Sequence, residues 1–405
     1  MMTSLRIGLL WCVSLLVVTF VPARAAAQNC FGRTTLAEAM DHFDAVVLAN
    51  SRDGAKQLEV IEVLFQPNSI KLQAGSKLEL SAEQLEQFQV SPEKLKKKGD
   101  RFVLFGTLRD DGSITWTFPA VTTIHAWQYV KKIPRTNHPA MQRLPFFLKH
   151  LEDDDSIVLT DCSLELSAAT NDQLVELARE TPPERLRVGL ANPKCADRGL
   201  YGVMLGMKGN ADDTKLLERI ILEPAEDFRP YIGGIMKGYL LLSREQGLSL
   251  LEEKILRDKT APFSEMFAVI DALRFIWQYG DNRIEPDRLR QSMRILLERP
   301  ELADIVIPEL ARMKDWSVQD RLIELYEVDA YNIPSIKRAI MRFTLAASTD
   351  TGIKKVDVGA AGGPPVLTPR EKLPAHVVRA QKCLEELEKR DPKTFHEAKR
   401  FFVPK

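Results

Sequence analysis

Cys195-Ala-Asp-Arg-Gly-Leu-Tyr-Gly-Val-Met-Leu-Gly-Met-Lys-Gly209 opens the stretch whose reading decides the fold, residues 195–346. Apolar residues recur there at helical spacing. Leu216, Leu217, Ile220 and Ile221 form one set, and Ile232, Ile235, Met236, Tyr239 and Leu240 a second. Leu248, Leu251 and Ile255 form a third, Leu289, Met293, Leu296 and Leu297 a fourth, and Val318, Leu322, Leu325 and Tyr326 a fifth. Each set falls on one face at about 3.6 residues per turn, which predicts an amphipathic helix. Residues 263–279 are apolar on nearly all sides, with Phe263, Met266, Phe267, Ile270, Leu273, Phe275, Ile276 and Trp277. That pattern predicts a helix covered by neighbours on more than one side. Helix starts near 195, 229, 263, 301 and 333 are 34, 34, 38 and 32 residues apart, with a turn and a second helix between them. Two helices per unit at this period predict an α-solenoid, because no single pair buries its own apolar face.

The residues resemble a known family at this point. Arg198-Gly-Leu-Tyr-Gly-Val-Met-Leu-Gly206-Met-Lys-Gly209, followed by Asp212, Leu216 and Leu217, resembles a degenerate HEAT repeat. Pro308 inside Leu302–Met313 matches the proline kink common in first helices of that family. The tetratricopeptide pattern fits the period but not the residues.

Length and composition bound the rest. The chain has 405 residues, 45% apolar and 28% charged, enough for a solenoid plus a smaller module. Formal net charge is zero. Neither nucleic acid nor an anionic membrane is indicated as a partner. Met1–Ala27 reads as a signal peptide. Arg6 supplies the positive start, Ile7 to Val21 the apolar core, and Ala25-Ala26-Ala27 the small residues, so cleavage is expected before Gln28. No second hydrophobic span follows, so no membrane span is expected in the mature chain. The expected address is exported: periplasmic, extracellular or cell-surface. Mature cysteines are Cys30, Cys162, Cys195 and Cys383. Four allow three pairings. For Cys162 and Cys195, on apolar helical segments, a buried thiol is the simpler reading.

Residues 28–136 read as a small β-rich module. After a helical piece, Leu36–Phe43, come Ala45–Ala49, Leu58–Phe65, Lys77–Leu80, Arg101–Leu108 and Ser113–Phe118 as short strands. Turn residues Asp53-Gly54, Gly99-Asp100 and Asp111-Gly112 separate them. Five short strands predict a small barrel or sandwich. From Cys30 to about Ile124 the order resembles a netrin-like, OB-type module, with an early Cys, an acidic-Ala-Val-Val strand and Gly-Asp-Arg-Phe-x-Leu. That family's further cysteines are missing, so the resemblance implies fold and not protease inhibition. The run Lys94-Leu-Lys-Lys-Lys98 has no interleaved aromatic residues and reads as a solvated loop.

From Pro139 the pattern is helical, and residues 137–346 form the expected helical array. Met141–Leu151 and Ile157–Ala168 make a first pair, joined by Glu152-Asp-Asp-Asp155. Those acids lack EF-hand spacing and read as a polar turn and helix N-terminus. Thr181-Pro-Pro-Glu-Arg-Leu186 reads as a helix start with Thr181 as cap. Residues 347–370 form a Gly/Pro linker without a phosphate-cradle motif, and 371–405 form C-terminal helices expected to cap the array. The whole layout resembles a group of uncharacterised exported proteins of planctomycete-type bacteria, and the resemblance implies no activity. The expected fold class is α+β, a small OB-like β-barrel followed by a HEAT-like solenoid.

The motifs of chemistry fail. Gly247-Leu-Ser249-Leu-Leu is not a nucleophile elbow, and His396-Glu397 lacks the second zinc-protease His, because Arg400 stands there. Ser91-Pro-Glu-Lys94 lacks companion motifs. Histidines 42, 125, 138, 150, 376 and 396 share no ligand spacing. No catalytic, metal or cofactor-binding residue is assigned, and no cofactor is expected. Candidate binding residues are Arg274, Trp277 and Tyr279 at the end of one helix, and Lys314, Asp315 and Trp316 at the turn of a later pair. Alternatively, both tryptophans fill gaps between stacked helices. The expectation is a non-enzymatic, exported scaffold binding a protein or peptide through the solenoid. A hydrolase or carbohydrate-active enzyme with a site between module and array, or a structural envelope component, are the alternatives.

Overall fold

The computed structural model describes residues 34–51, 57–79, 101–117, 121–192, 195, 197–224, 228–352, 373–400 and 402. The leader, Cys30, the turns at 53–54 and 99–100, the 94–98 run and most of the Gly/Pro linker lie outside the described residues. The chain divides into two compact units, Met1–Ala169 and Thr170–Lys405.

The first unit is a curled antiparallel sheet with helices. Helix α1 (Leu36–His42) starts on a capping box, the Thr35 hydroxyl accepting from the Glu38 amide and the Glu38 carboxylate from the Thr35 amide. Strands β1 (Ala45–Ser51), β2 (Gln57–Phe65), β3 (Lys77–Glu79), β4 (Arg101–Leu108) and β5 (Ile114–Thr117) lie in the order β3-β2-β1-β4-β5. A two-residue β6 (Val121–Thr122) pairs with β4 and is too short to leave an alternation in the sequence. Irregularities in the β1–β2 pairing at Val46/Val47 and Leu48/Ala49 strengthen the local twist that curls the sheet. Central β1 is buried on both faces, which explains its unbroken apolar run. Ala45, Val47 and Ala49 meet Leu58, Val60, Leu78, Phe102, Leu104 and Trp116 in one core.

Among the described residues three further helices belong to this unit: α2 (Ile124–Val130), for which the sequence shows no helical pattern of its own, α3 (Ala140–His150) and α4 (Ser156–Ser167). Helix α2 is tied to β2, where Trp127 Nε1 donates to Glu62 at 2.5 Å and Lys131 Nζ lies 3.0 Å from the same carboxylate. The acidic turn behaves as expected, with Asp155 accepting from the Ile157 amide at the start of α4. Buried Asp161 of α4 accepts from the Leu36 amide and from the Tyr129 hydroxyl, each at 2.7 Å, and so fixes α1 and α2 to α4.

The second unit is helical. Helices α5 (Asn171–Glu180) and α6 (Pro183–Ala191) flank Thr181, which differs from its expected role. Thr181 closes α5, its hydroxyl donating to the Leu177 carbonyl at 2.7 Å, while Pro182 and Pro183 start α6 without a side-chain cap. Cys195 is buried but precedes the next helix rather than lying on it. Then come α7 (Arg198–Lys208), α8 (Ala211–Leu222), α9 (Ile232–Leu251, extended by a π-type turn Glu252–Leu256), α10 (Phe263–Tyr279), α11 (Pro286–Ile295), α12 (Pro300–Arg312), α13 (Gln319–Tyr326), α14 (Pro334–Thr349), α15 (Ala375–Arg390) and α16 (Pro392–Arg400). The two apolar faces expected around 232–240 and 248–255 sit on one run broken only at Arg244, whose φ of 53° and ψ of −132° turn the chain within one residue.

The opening motif packs backbone on backbone. A Cβ on Gly234 would lie 2.3 Å from the Gly199 carbonyl oxygen, and one on Gly238 2.0 Å from that of Gly202. The pairings 199/234, 202/238 and 206/238 keep one direction, so α7 and α9 run parallel and offset by about one repeat. Polar ties carry that offset onward. Arg229–Glu265, Glu252–Arg288, Arg274–Glu309, Lys314–Asp350 and Leu297–Tyr331 are each separated by 34 to 36 residues. The stacked first helices therefore share one direction. Helices α15 and α16 pack on α14, at the end of the stack.

Two outcomes test these forces. Gly238→Ala drives a methyl into backbone and is expected to cost about 3 kcal/mol or more. Gly233→Ala has its nearest neighbour at 3.7 Å and is expected to gain about 0.5–1 kcal/mol from helix propensity. Urea midpoints check both.

For Asp161, burial pushes its pKa up to about 6, against the pull of the Leu36 amide and the Tyr129 hydroxyl. Unfolded aspartate titrates near ~3.9, so between these values the folded chain holds a proton that the unfolded chain releases. This group's contribution to stability is thus complete below about pH 4 and falls as pH rises to about 6. Asp161→Asn stays neutral throughout. Its stability relative to the parent chain is expected to rise between pH 4 and pH 7 by up to about 3 kcal/mol, read by urea unfolding at both pH values.

Candidate interaction surface

Parallel stacking gives the helical unit two edges. At one, second helices end and first helices begin. At the other, first helices turn into second helices. The six sequence-derived residues all belong to the second edge.

Most of them are engaged within the unit. Arg274 of α10 donates to Glu309 of α12 at 2.8 Å, which joins neighbouring first helices. Trp277 is half-buried, with the Arg290 guanidinium 5.2 Å from its ring centre. Tyr279 is exposed and lies against Phe275, centroids 5.4 Å apart. Lys314 is exposed, takes a left-handed backbone (φ 52°), and reaches Asp350 at 2.8 Å. Asp315 is buried and takes two bonds from Arg294, at 2.6 and 2.8 Å, and one from Ser317 at 2.7 Å. Trp316 donates to Asp350 at 2.8 Å, meets Phe343 edge-on and stacks on His376 at 5.8 Å. The structure brings Lys314 and Trp316 together on one carboxylate. Arg274 and Asp315 each bind a different partner. Asp350 is held below the usual carboxylate range; burial opposes this, and the bonds from Lys314 and Trp316 outweigh it.

The first edge carries apolar surface, including Phe263 and Phe267, which the sequence pattern places under neighbouring helices. Leu222, Phe228, Phe263, Phe267, Val328 and Ile333 are between 42% and 65% exposed. Leu222 ends α8, Phe228, Val328 and Ile333 stand in connections, Phe263 begins α10, and Phe267 is one turn further on, stacked on Phe263 at 6.5 Å. Helix α10 is therefore covered along Met266, Val269, Ile270, Leu273 and Ile276, while its first turns leave two phenylalanines in water. The sequence holds a signal for this edge. Phe228, Phe263 and Ile333 each lie within two residues of a proline at a helix start, Pro230, Pro262 and Pro334. Beneath the edge Arg229 satisfies end carbonyls of α8, donating to Ile220 at 2.8 Å, and also binds Glu265. The apolar surface thus stands on a polar frame that is already paired.

Sequence spacing also missed a convergence in the first unit. His125 Nε2 lies 2.7 Å from Asp153, and His150 Nδ1 lies 3.9 Å from the same carboxylate. The hydrogen bond to Asp153 raises the His125 pKa, whereas burial lowers that of His150. His150 and Asp153 are neighbours at i,i+3, but His125 comes from α2, 28 residues before Asp153, a separation that linear spacing does not reveal. Among the described residues, no three His, Cys, Asp or Glu side chains are grouped to hold a metal ion, and no helix is long and apolar enough to cross a membrane.

Comparison of the chain with protein-family models, with curated proteins and with solved structures returns no match.

The packing roles give a testable contrast. Asp315→Ala removes the buried carboxylate that holds Arg294 by two hydrogen bonds, leaving it only Asp287 at 3.5 Å, and is expected to cost about 1–3 kcal/mol. Lys314→Ala removes an exposed pair and is expected to cost under about 1 kcal/mol. Denaturation midpoints of the two variants check the difference.

Proposed function

We propose that the protein is a non-enzymatic, exported interaction protein whose helical unit, a HEAT-like solenoid, binds a protein partner. The observation that carries this reading is the apolar edge built from Leu222, Phe228, Phe263, Phe267, Val328 and Ile333. Large aromatic side chains left in water by a folded unit cost hydration free energy that a partner recovers, and clustered exposed apolar residues mark such surfaces. A stack of parallel helices presents them at repeat intervals, which suits an elongated partner. In this reading the curled sheet is an OB-like module that offers a second contact surface. Export rests on the sequence of residues 1–27.

The experiment places a photo-crosslinking amino acid at position 263 or at position 279 of the full chain. Each protein is exposed to extracytoplasmic extract. A discrete adduct from position 263, lost when Phe228 and Phe267 are changed to Ser, is the expected result. Adducts from position 279 alone would move the surface to the opposite edge. Absence of adducts from both would remove the support for an interaction protein.

A further inference from the structure

We propose that Asp161, Tyr129 and Cys162 form a buried hydrogen-bond chain that reverses its direction when Asp161 takes up a proton, a pH-responsive device at the joint of α1, α2 and α4. It lies wholly in the first unit and is independent of the apolar edge. The geometry is a line of three buried groups. The Tyr129 oxygen lies 2.7 Å from Asp161 Oδ2 and 3.3 Å from Cys162 Sγ. A phenol has one hydrogen to donate and lone pairs to accept with, and a thiol does either weakly. The Tyr129–Cys162 contact therefore runs in whichever direction its neighbours require. On the far side, Asp161 Oδ1 accepts from the Leu36 amide at 2.7 Å, a backbone donor that cannot reverse. Reversal is thus confined to Oδ2.

With Asp161 ionised, Tyr129 donates to Oδ2 and the Cys162 thiol donates to the Tyr129 oxygen. With Asp161 protonated on Oδ2, the carboxyl group donates to the Tyr129 oxygen and Tyr129 donates to Cys162 Sγ. The thiol hydrogen then turns to the carbonyl of Val158, one turn back in α4. Thr160 of the same helix makes that kind of bond, its hydroxyl donating to the Ser156 carbonyl at 2.7 Å. The added proton comes from solvent, and no bond between heavy atoms is made or broken. Every donor keeps an acceptor in both states. Proton uptake therefore leaves no buried polar group of the chain unpaired, the outcome that would otherwise make it costly.

The surroundings make Asp161 the member that titrates. Burial pushes it up to about 6; the Glu165 charge, one turn on in α4, acts in the same sense, and the Leu36 amide, Tyr129 and Arg143 of α3 oppose it. Arg143 is drawn toward Glu165, to which it donates at 2.6 Å, while the other Glu165 oxygen is buried without a hydrogen bond. Burial pushes the Cys162 thiol up to about 12, with Asp161, Asp153 and Glu165 adding to it and the bond to Tyr129 opposing it. Burial also raises Tyr129 above the usual tyrosine range. Both therefore keep their hydrogens while Asp161 changes. His150 packs edge-on against the Tyr129 ring at 5.3 Å, and burial lowers its pKa, so it is the second group that could alter Tyr129 in acid. His125 faces Asp153 instead.

The test is carbon NMR of the full chain carrying ¹³C at the tyrosine Cζ, with the Tyr129 signal identified by its loss in Tyr129→Phe. A tyrosine that donates to a carboxylate has its Cζ signal downfield of one that accepts from a carboxylic acid. The Tyr129 signal is therefore expected to move upfield as pH falls, with a midpoint near the Asp161 value of about 6, and to stay fixed in Asp161→Asn. Cys162→Ala removes the acceptor that the reversed chain needs, which disfavours proton uptake. Its midpoint is expected to fall by about half a pH unit, the equivalent of one weak hydrogen bond, and Cys162→Ser is expected to restore it. A Tyr129 signal that does not move overturns the proposal. So does movement that persists in Asp161→Asn, which would assign it to His150. A midpoint unchanged in Cys162→Ala, or lowered equally by Ala and Ser, overturns it as well. Circular dichroism shows which variants fold, and either the Asp161 or the Cys162 comparison decides the outcome if the other variant does not.

Discussion

The helical unit depends on how closely α7 approaches α9. Gly199 and Gly206 of α7 and Gly234 and Gly238 of α9 bring backbone against backbone, and Gly202 lies against the Ile235 side chain and main chain. At that distance a methyl group on either helix would overlap main-chain atoms, which cannot rotate away as a side-chain tip can. Contact therefore fixes both spacing and direction: the helices lie parallel, one repeat apart. A parallel neighbour cannot be reached by a short turn, so a second helix must return the chain. The two-helix repeat follows from the glycine contact and from this return.

Once the direction is fixed, polar ties recur at the same offset. Arg229–Glu265 and Arg274–Glu309 join neighbouring first helices, and Glu252–Arg288 joins second helices. Several of the carboxylates are buried: Glu252, Glu265, Glu309 and Asp315 all sit inside the unit. Buried ion pairs return little net stability, because desolvation offsets much of the attraction. Misplacing one by a turn leaves a buried charge alone, which is costly. Their contribution is best understood as register: they penalise every stacking offset except one.

Much of this was legible in the sequence. Helical periodicity located nearly every stacked helix, because burial on one face forces apolar residues into a regular spacing, and short apolar or alternating runs between turn residues located five of the strands. The glycines of the opening motif stood out as well. Other features were illegible for physical reasons. Thr181 satisfies a cap pattern toward α6 yet spends its hydroxyl on Leu177, because a threonine can serve the helix behind it as readily as the one ahead. Phe263 and Phe267 look like core, since composition records that a residue is apolar but not whether a neighbour arrives to cover it. The six candidate residues were chosen as aromatic and charged groups at helix ends. All six bind or pack within the unit; Tyr279, against Phe275, is the exposed one of the three aromatic residues.

The apolar edge arises from one variable, the chemistry of the connections between regularly stacked helices. A glycine-spaced stack sets the separation of the helices, and the ion pairs set their offset. Only the connections remain free to vary. Where a connection enters a first helix through proline, the preceding or following apolar side chain is held outside the helix stripe, as at Phe228, Phe263 and Ile333. Rigid spacing thus turns small differences in loop chemistry into differences in the surface left exposed.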